Sequence, residues 1–294
     1  MDCDTAVGTR DGIPRLLELF EGSGVRATFF FSLGPDRSGR AALRIFKQKG
    51  FVRKMLRSRA PSLYPVRTML AGTILRAPAI AQFAREQILS VEKAGHECGV
   101  HAWDHVGWHD GLDSWPTERI EGEYARLHEC FREIFGREAR SSAAPGWTVN
   151  DRYLLIRERY PLMFTSDTRG GRPFFPLLPG VPSGILEVPS TLPTLDEALG
   201  DSRFPSREDL LARYRDLPPN GVTTVHTIHT EVEGGPYSEW FRRLLAAWRD
   251  RGARFVPLEE VARDVLSRRR EIPSRPIGRV RLPGRGGTVA SSLG

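Results

Sequence analysis

Cysteine is scarce and long apolar runs are absent, and each of these features excludes a class of protein. The 294 residues contain three cysteines, Cys3, Cys98 and Cys130, which form neither a disulfide framework nor a CxxC metal motif. No window approaches the roughly 18 to 20 uninterrupted apolar residues that a transmembrane helix needs. The first residues, MDCDTAVGTRDG, lack the basic start and apolar stretch of a signal peptide. We therefore expect a protein of a reducing, cytoplasmic compartment.

Acidic residues are also absent from one long part of the chain. From Arg37 to Arg85 the sequence has twelve Lys or Arg and no Asp or Glu. Residues 268–294 hold seven Arg and a single acid, Glu271. Since the formal net charge of the whole chain is only +7, the remainder is acidic. Basic segments on an acidic body attract anionic partners, such as nucleic acid, phosphorylated ligands or an anionic membrane face.

The first basic segment predicts an amphipathic insertion at about residues 44–76. Over residues 51–57 the apolar side chains fall on one helical face, and Arg53, Lys54 and Arg57 fall on the other. Such a helix beside a short apolar run is typical of an interfacial membrane anchor, so we expect these three cations to contact a membrane or a phosphate. The alternative is a solvated helix packed on the domain.

The second basic segment, residues 268–294, is rich in Arg, Gly, Pro and Ser, and this composition predicts a mobile tail. The tail either binds lipid or is a plain solvated terminus. Neither basic segment shows a platform of stacked aromatic side chains, so we expect no nucleic-acid partner.

The rest of the chain alternates between strand and helix patterns. Strands are predicted over residues 25–33, 96–101, 162–166, 185–189, 222–228 and 254–256. Helices are predicted over residues 13–20, with Pro14 in the first turn, and over 79–93, 116–135, 207–214, 238–251 and 258–269. This alternation is typical of an α/β fold in which helices cover a parallel sheet, either a barrel or a doubly wound sheet.

Two histidines, His101 and His105, form the sharpest local signal for chemistry. If a helical turn begins at His101, both imidazoles project from one face and can share a metal ion. Zinc and its neighbours accept neutral imidazole nitrogen. Because histidines at this spacing also arise by chance, the pair alone leaves the metal site open.

Two further segments place reactive side chains near strands. Asp2 and Asp4 are two residues apart, so on a strand they point the same way, and one could bind a metal while the other handles a proton. The alternative is a disordered acidic terminus. His229 ends a β-rich run, the position where α/β enzymes keep catalytic groups, but a buried, hydrogen-bonded histidine is an equal alternative.

Taken in order, the segments Asp2-Cys-Asp4, GHECGVHAWDH and TIHTEVEG resemble the three corresponding motifs of the polysaccharide deacetylase (NodB-homology) family. The resemblance implies a catalytic domain over residues 1–267 with a distorted (β/α)-barrel of about seven strands. It implies that Asp4, His101 and His105 hold one divalent ion, which would be zinc, cobalt or manganese. It also implies that Asp2 is the general base and that His229 is the general acid that protonates the leaving amine.

Within that family, the segments SAAPGW, TSDTRG and PSTLPTLDE resemble a subgroup of deformylases. That similarity implies hydrolysis of the formamide of 4-deoxy-4-formamido-L-arabinose linked to undecaprenyl phosphate, for lipid A modification and polymyxin resistance. It implies a peripheral protein on the cytoplasmic side of the bacterial inner membrane, with a lipid-linked sugar as substrate. The alternatives are an N-deacetylase of chitin oligosaccharide or peptidoglycan, and an inactive homologue that binds a sugar lipid.

The sequence departs from the family pattern in two places. Between the second of these motifs and the last one, most members have a further motif with an Arg-Pro pair whose Arg orients the base, but residues 142–147 contain no Arg. Arg169, together with Asp167, is our candidate for orienting Asp2 or contacting substrate. Family members also have several apolar residues before the first motif, whereas only Met1 precedes Asp2 here. We therefore expect a truncated first strand and a poorly held base.

Overall fold

The computed structural model describes residues 1–40, 71–73, 76–199, 201, 203–218 and 221–292. The predicted basic helix with Arg53, Lys54 and Arg57, and most of the predicted insertion at 44–76, lie outside these described residues. Across the described ranges, every helix is too short or too polar to cross a membrane.

The secondary structure alternates largely as predicted. The strands are β1 (Asp2–Cys3), β2 (Thr28–Ser32), β3 (Glu97–Ala102), β4 (Ser141–Ser142), β5 (Phe164–Thr165), β6 (Phe175–Leu178), β7 (Val181–Pro182), β8 (Leu186–Glu187), β9 (Ser274–Arg275), β10 (Ile277–Val280) and β11 (Val289–Ser292). The α-helices are α1 (Ala6–Ser23), α2 (Ile80–Phe83), α3 (Arg85–Lys93), α4 (His105–Gly111), α5 (Thr117–Phe135), α6 (Asp151–Arg157), α7 (Leu195–Ala198), α8 (Arg207–Arg215), α9 (Ser238–Asp250) and α10 (Leu258–Ser267). Two 3₁₀ helices span Pro145–Trp147 and Arg269–Glu271.

The central sheet has the order β1-β2-β3-β4-β5-β8, and all its neighbouring strands are parallel. An extended segment that ends at Ile228 closes it. The amide of Asp2 donates to the carbonyl of Ile228 at 2.9 Å, and the amides of Thr191 and Leu192 both donate to Val225 at 3.0 Å. The predicted distorted (β/α) barrel is therefore confirmed, with six regular strands and one irregular closing segment. The predicted strand over 222–228 is this segment, which has no regular ladder.

Local sequence explains where the helices begin and end. The prediction that the first helix begins at Ile13 is wrong, because the hydroxyl of Thr5 accepts a hydrogen bond from the amide of Gly8 and caps α1 well before Pro14. Pro14 lies inside this helix. The end of α5 is as predicted, because Gly136 adopts a left-handed conformation with φ of 67°. The predicted helix over 79–93 is broken at Ala84, and residues 254–256 form no strand.

The N-terminal residues are hydrogen-bonded on both sides. The amino group of Met1 donates to the carbonyl of Thr28 at 2.9 Å, and the amide of Phe30 donates to Met1 at 2.8 Å. On the other side, the amide of Thr230 donates to the carbonyl of Asp2 at 3.1 Å. The expectation of a poorly held Asp2 is therefore wrong, because these ladder bonds hold a strand of only two residues in place.

The described part of the predicted mobile tail, residues 268–292, contains the short strands β9, β10 and β11. Strands β10 and β11 pair in antiparallel register, and Val289 and Ala290 are buried. The carbonyl of Ala290 accepts a hydrogen bond from the amide of Arg169 at 2.8 Å. Composition suggested disorder because the segment is rich in Arg, Gly, Pro and Ser, but some of its arginines pair with acids of the body, as Arg279 does with Asp113.

Candidate metal centre and catalytic groups

His101 and His105 lie on either side of a strand-to-helix turn. His101 belongs to β3, whereas His105 is the first residue of α4, whose N-terminus is capped by the carboxylate of Asp104. The interpretation that both histidines share one helical turn is therefore wrong. The turn nevertheless brings the two imidazole rings together, with their centroids 5.3 Å apart.

Asp4, which follows β1, completes the cluster. Its Oδ1 lies 3.3 Å from Nε2 of His101, and its Oδ2 lies 3.4 Å from Nε2 of His105. The potential ligand atoms of the three residues all lie within 4.8 Å of one another. The three residues predicted to hold a metal are thus brought to one point by three different elements of the barrel.

The hydrogen bonding of this cluster fits a metal ion. Nδ1 of His101 lies 2.7 Å from the carbonyl oxygen of Ala143, so this nitrogen carries the proton and Nε2 presents its lone pair to Asp4. Among the described residues, neither Nε2 of His101 nor Oδ1 of Asp4 has a hydrogen-bond partner, although both are buried. Burying such atoms unpaired is costly. A divalent cation would satisfy both atoms, and the set of one carboxylate and two imidazoles suits zinc and its neighbours.

The protonation states of the two histidines agree with this fit. Burial lowers the pKa of His101, and burial lowers the pKa of His105 further, to well below its usual value. Both rings are therefore held in the neutral form that binds metal. Burial, with the nearby charges of Glu231 and Asp2, raises the pKa of Asp4, so the carboxylate is destabilised until a cation compensates its charge.

His229 directly follows the closing segment and forms a parallel β-bridge with Asp2. Its Nδ1 is 3.6 Å from Oδ1 of Asp196, and its amide donates to Glu233 at 2.9 Å. Burial alone would lower the pKa of His229, but the carboxylates of Asp196, Asp4 and Asp2 outweigh burial and raise it to about 10. The neighbouring carboxylates therefore favour the protonated form of the ring.

Sequence reasoning missed Asp196 as a site residue. It lies in the first turn of α7, which is held by a capping box between Thr194 and Glu197. The Thr-x-x-Glu pattern of this box is visible in the sequence and could have revealed the helix start. Nothing local could have revealed its partner, because His229 is distant along the chain.

Asp167 and Arg169 are both buried. Asp167 forms an ion pair with Arg157 and accepts a hydrogen bond from the hydroxyl of Tyr153 at 3.1 Å. Arg169 instead donates from Nη1 to Glu197 at 2.8 Å. The contacts of these two residues therefore lie with other groups, and a role in orienting Asp2 stays a prediction.

Trp147 and Arg285 form a further cluster with Arg169, and sequence reasoning did not single out the first two. Trp147 has φ of 52°, in the left-handed region that non-glycine residues seldom adopt. Two guanidinium groups lie over its ring, with Cζ of Arg169 at 4.5 Å from the centroid and Cζ of Arg285 at 4.8 Å. Arg285 belongs to the tail that composition indicated to be mobile, so the sequence held no signal for this contact.

Comparison with known proteins agrees with this geometry. Residues 4–164 match the polysaccharide deacetylase family. The chain is 34% identical over 261 residues to the probable 4-deoxy-4-formamido-L-arabinose-phosphoundecaprenol deformylase ArnD of Shewanella sediminis, which covers 89% of this chain and 84% of the relative. The protein of the same name from Wigglesworthia glossinidia brevipalpis is 31% identical over 291 residues, covering 97% of this chain and 98% of the relative.

The fold is also similar to that of a solved polysaccharide deacetylase. The crystal structure of a probable polysaccharide deacetylase from Pseudomonas aeruginosa aligns with a TM-score of 0.59 at 18% identity, covering 87% of this chain and 73% of that one. The chain belongs to the polysaccharide deacetylase family. It is a hydrolase that acts on amides, and its curated relatives carry the name of the ArnD deformylase.

Proposed function

We propose that the chain uses a divalent metal to hydrolyse the formamide of 4-deoxy-4-formamido-L-arabinose linked to undecaprenyl phosphate. The products are formate and the free amino sugar, which would serve lipid A modification and polymyxin resistance. The observation that carries the proposal is the convergence of Asp4, His101 and His105 beside Asp2 and His229. The substrate is taken from the two curated relatives, which the chain matches over 84% and 98% of their lengths.

Each residue has a role in this reaction. A divalent ion held by Asp4, His101 and His105 would polarise the formyl carbonyl and make water acidic. Asp2 takes the proton from the attacking water, and His229 gives its proton to the leaving amine. Asp196 holds the imidazole of His229 protonated through its negative charge. The buried carbonyl of Ala143 keeps Nε2 of His101 available as a ligand.

We infer a peripheral protein at the cytoplasmic face of the inner membrane, because the proposed substrate is a lipid of that membrane. We infer that Arg53, Lys54 and Arg57 contact anionic lipid or the substrate phosphate, because they belong to the longest acid-free stretch of the chain. In a flotation assay with liposomes of about 30% anionic lipid, the parent chain should rise with the liposomes. A variant with glutamine in place of all three cations should stay behind. Equal flotation of both would remove this part of the proposal.

The proposed reaction is tested by measuring formate and acetate from two substrates. The chain, loaded separately with zinc, cobalt or manganese, is incubated with the formamido-arabinose lipid and with acetylated chitooligosaccharide. We expect formate from the lipid and no acetate from the oligosaccharide. Acetate alone would favour an N-deacetylase, and neither product with any metal would favour an inactive sugar-lipid-binding homologue.

A further inference from the structure

We propose that Arg285, carried to the site by the C-terminal hairpin, forms with Arg169 a subsite for the phosphate of the lipid-linked sugar. This inference rests on the proposed function, because the phosphate belongs to that substrate. It assigns a binding role to a residue outside the family's motifs and outside the described barrel strands. Four features of the structure support it.

The first feature is the seating of the turn that precedes Arg285. Gly284 has φ of 82°, and a Cβ added there would lie 2.1 Å from the carbonyl oxygen of Glu197. Only glycine fits this position, because any side chain would meet the backbone of α7. The turn is therefore packed directly on the helix that carries Asp196, the partner of the general acid.

The second feature is the direction in which Arg285 reaches. Its Nη2 donates to the carbonyl of Gly146 at 3.0 Å. A Cβ added at Gly146 would lie 2.7 Å from Cδ2 of His109 and 2.8 Å from Nη2 of Arg285. His109 is one turn beyond the metal-ligand candidate His105 on α4. Arg285 thus lies between α7, which carries Asp196, and α4, which carries His105.

The third feature is the charge around Glu197. This carboxylate lies 2.8 Å from Nη1 of Arg169 and 3.5 Å from Nη1 of Arg285. One carboxylate cannot balance two guanidinium groups, so a net positive charge is left beside a site that is otherwise acidic. Guanidinium donors match phosphate oxygens in geometry, and their pairing with phosphate is stronger than that of neutral donors.

The fourth feature is access. The side chain of Arg285 is 17% exposed, whereas that of Glu197 is 4% exposed, so of this pair the cation is the one that solvent and ligands reach. In the proposed substrate the formamide is on C4 and the phosphate is on C1, at opposite ends of the sugar ring. A phosphate contact must therefore lie about one ring away from the metal ligands. Arg285 donates to Gly146 at 3.0 Å, and Gly146 lies beside His109. His109 is one turn of α4 from His105, so Arg285 lies near the metal ligands.

The kinetic test compares a phosphate-bearing substrate with one that lacks phosphate. The metal-loaded chain and Arg285→Gln are assayed on a farnesyl phosphate ester of the formamido sugar and on its methyl glycoside. We expect Arg285→Gln to raise KM for the phosphate ester about 10- to 100-fold, to leave kcat within about twofold, and to leave the methyl glycoside kinetics unchanged. Arg285→Lys should recover part of the loss. Arg279→Gln, which removes an exposed ion pair of the same hairpin, should match the parent chain.

Equal losses on both substrates, or no loss on either, would overturn the proposed subsite. Isothermal titration with farnesyl phosphate separates this outcome from failure of the proposed reaction. We expect the parent chain to bind farnesyl phosphate at least about tenfold more tightly than Arg285→Gln. If this difference is found while no formamide is cleaved, only the proposed reaction fails. If both forms bind equally, or neither binds, the subsite fails even when formate is released.

Discussion

Asp2 and His229 face each other as partners in a parallel β-bridge. The amide of Asp2 donates to Ile228 at 2.9 Å, and the amide of Thr230 donates back to the carbonyl of Asp2 at 3.1 Å. The groups assigned as base and acid are therefore separated by a fixed backbone distance rather than by flexible loops. Under the proposed function, this fixed spacing holds the proton acceptor Asp2 and the proton donor His229 beside one bound amide.

The first prediction concerns this pair. Asp2→Asn and His229→Gln should each lower kcat by roughly 10² to 10⁴, because each removes one positioned proton transfer. Neither change touches Asp4, His101 or His105, so the bound metal should stay at the level of the parent chain. Steady-state kinetics with metal analysis of the same samples checks this. Loss of metal in either variant would show that the residue supports the metal instead of the proton transfer.

The second prediction concerns the pH dependence set by Asp196. His229 acts in its protonated form, so activity falls as the pH rises through its pKa, which the neighbouring carboxylates raise to about 10. Asp196→Asn removes one of these charges and lowers that pKa. The alkaline limb of the kcat/KM profile should therefore move to lower pH by roughly one unit. An alkaline limb that stays in place would contradict the assigned partnership, and Asp216→Asn, whose side chain is 60% exposed, is the matched control.

The third prediction concerns stabilisation by metal. Because Asp4 and His101 bury unpaired ligand atoms, a cation that binds there stabilises the folded chain. Zinc at 100 times its Kd should add about 2.7 kcal/mol to the free energy of unfolding, and thermal denaturation should shift accordingly. Asp4→Ala should melt at the same temperature with and without zinc. A zinc-dependent shift of equal size in the variant would mean that the ion binds elsewhere.

The fourth prediction concerns the buried ion pair of Arg157 and Asp167, whose side chains are both fully buried. Arg157→Leu leaves the carboxylate without its partner, so it should lower the free energy of unfolding by about 3 to 5 kcal/mol. Denaturant unfolding measures this change. Arg242→Leu removes an exposed pair with Glu239 and should leave the unfolding midpoint where it is. A parent-like midpoint for Arg157→Leu would contradict the structural role of the pair.

Local patterns predicted much of the fold, whereas the resemblance to the polysaccharide deacetylase family predicted the cluster of Asp4, His101 and His105. The apolar residues of β2 and the glycine after α5 are visible in the sequence, and the structure has the strand and the helix end there. The spacing of His101 and His105 predicted that they meet. The reason was wrong, because periodicity alone cannot distinguish one helical turn from a strand followed by a capped helix.

Long-range pairing is what the sequence could not reveal. Arg285 meets Glu197, and His229 meets Asp196, across long intervals of chain and without any shared local pattern. The tail therefore had the composition of a disordered segment, although Arg279 and Arg285 have acidic partners on the body. The sequence also did not reveal that backbone hydrogen bonds hold Asp2 in place, since its ladder partners lie near residues 30 and 228.

The proposed metal centre is tested most directly by one paired measurement. Bound metal and released formate are determined together in the parent chain and in Asp4→Asn. The parent chain should hold one divalent ion and release one formate for each amine formed from the formamido-arabinose lipid. Asp4→Asn should lose the ion and the formate together. Formate release from the parent chain without bound metal, or undiminished release by the variant, would contradict the assignment of Asp4, His101 and His105 as the metal centre of an amide hydrolase.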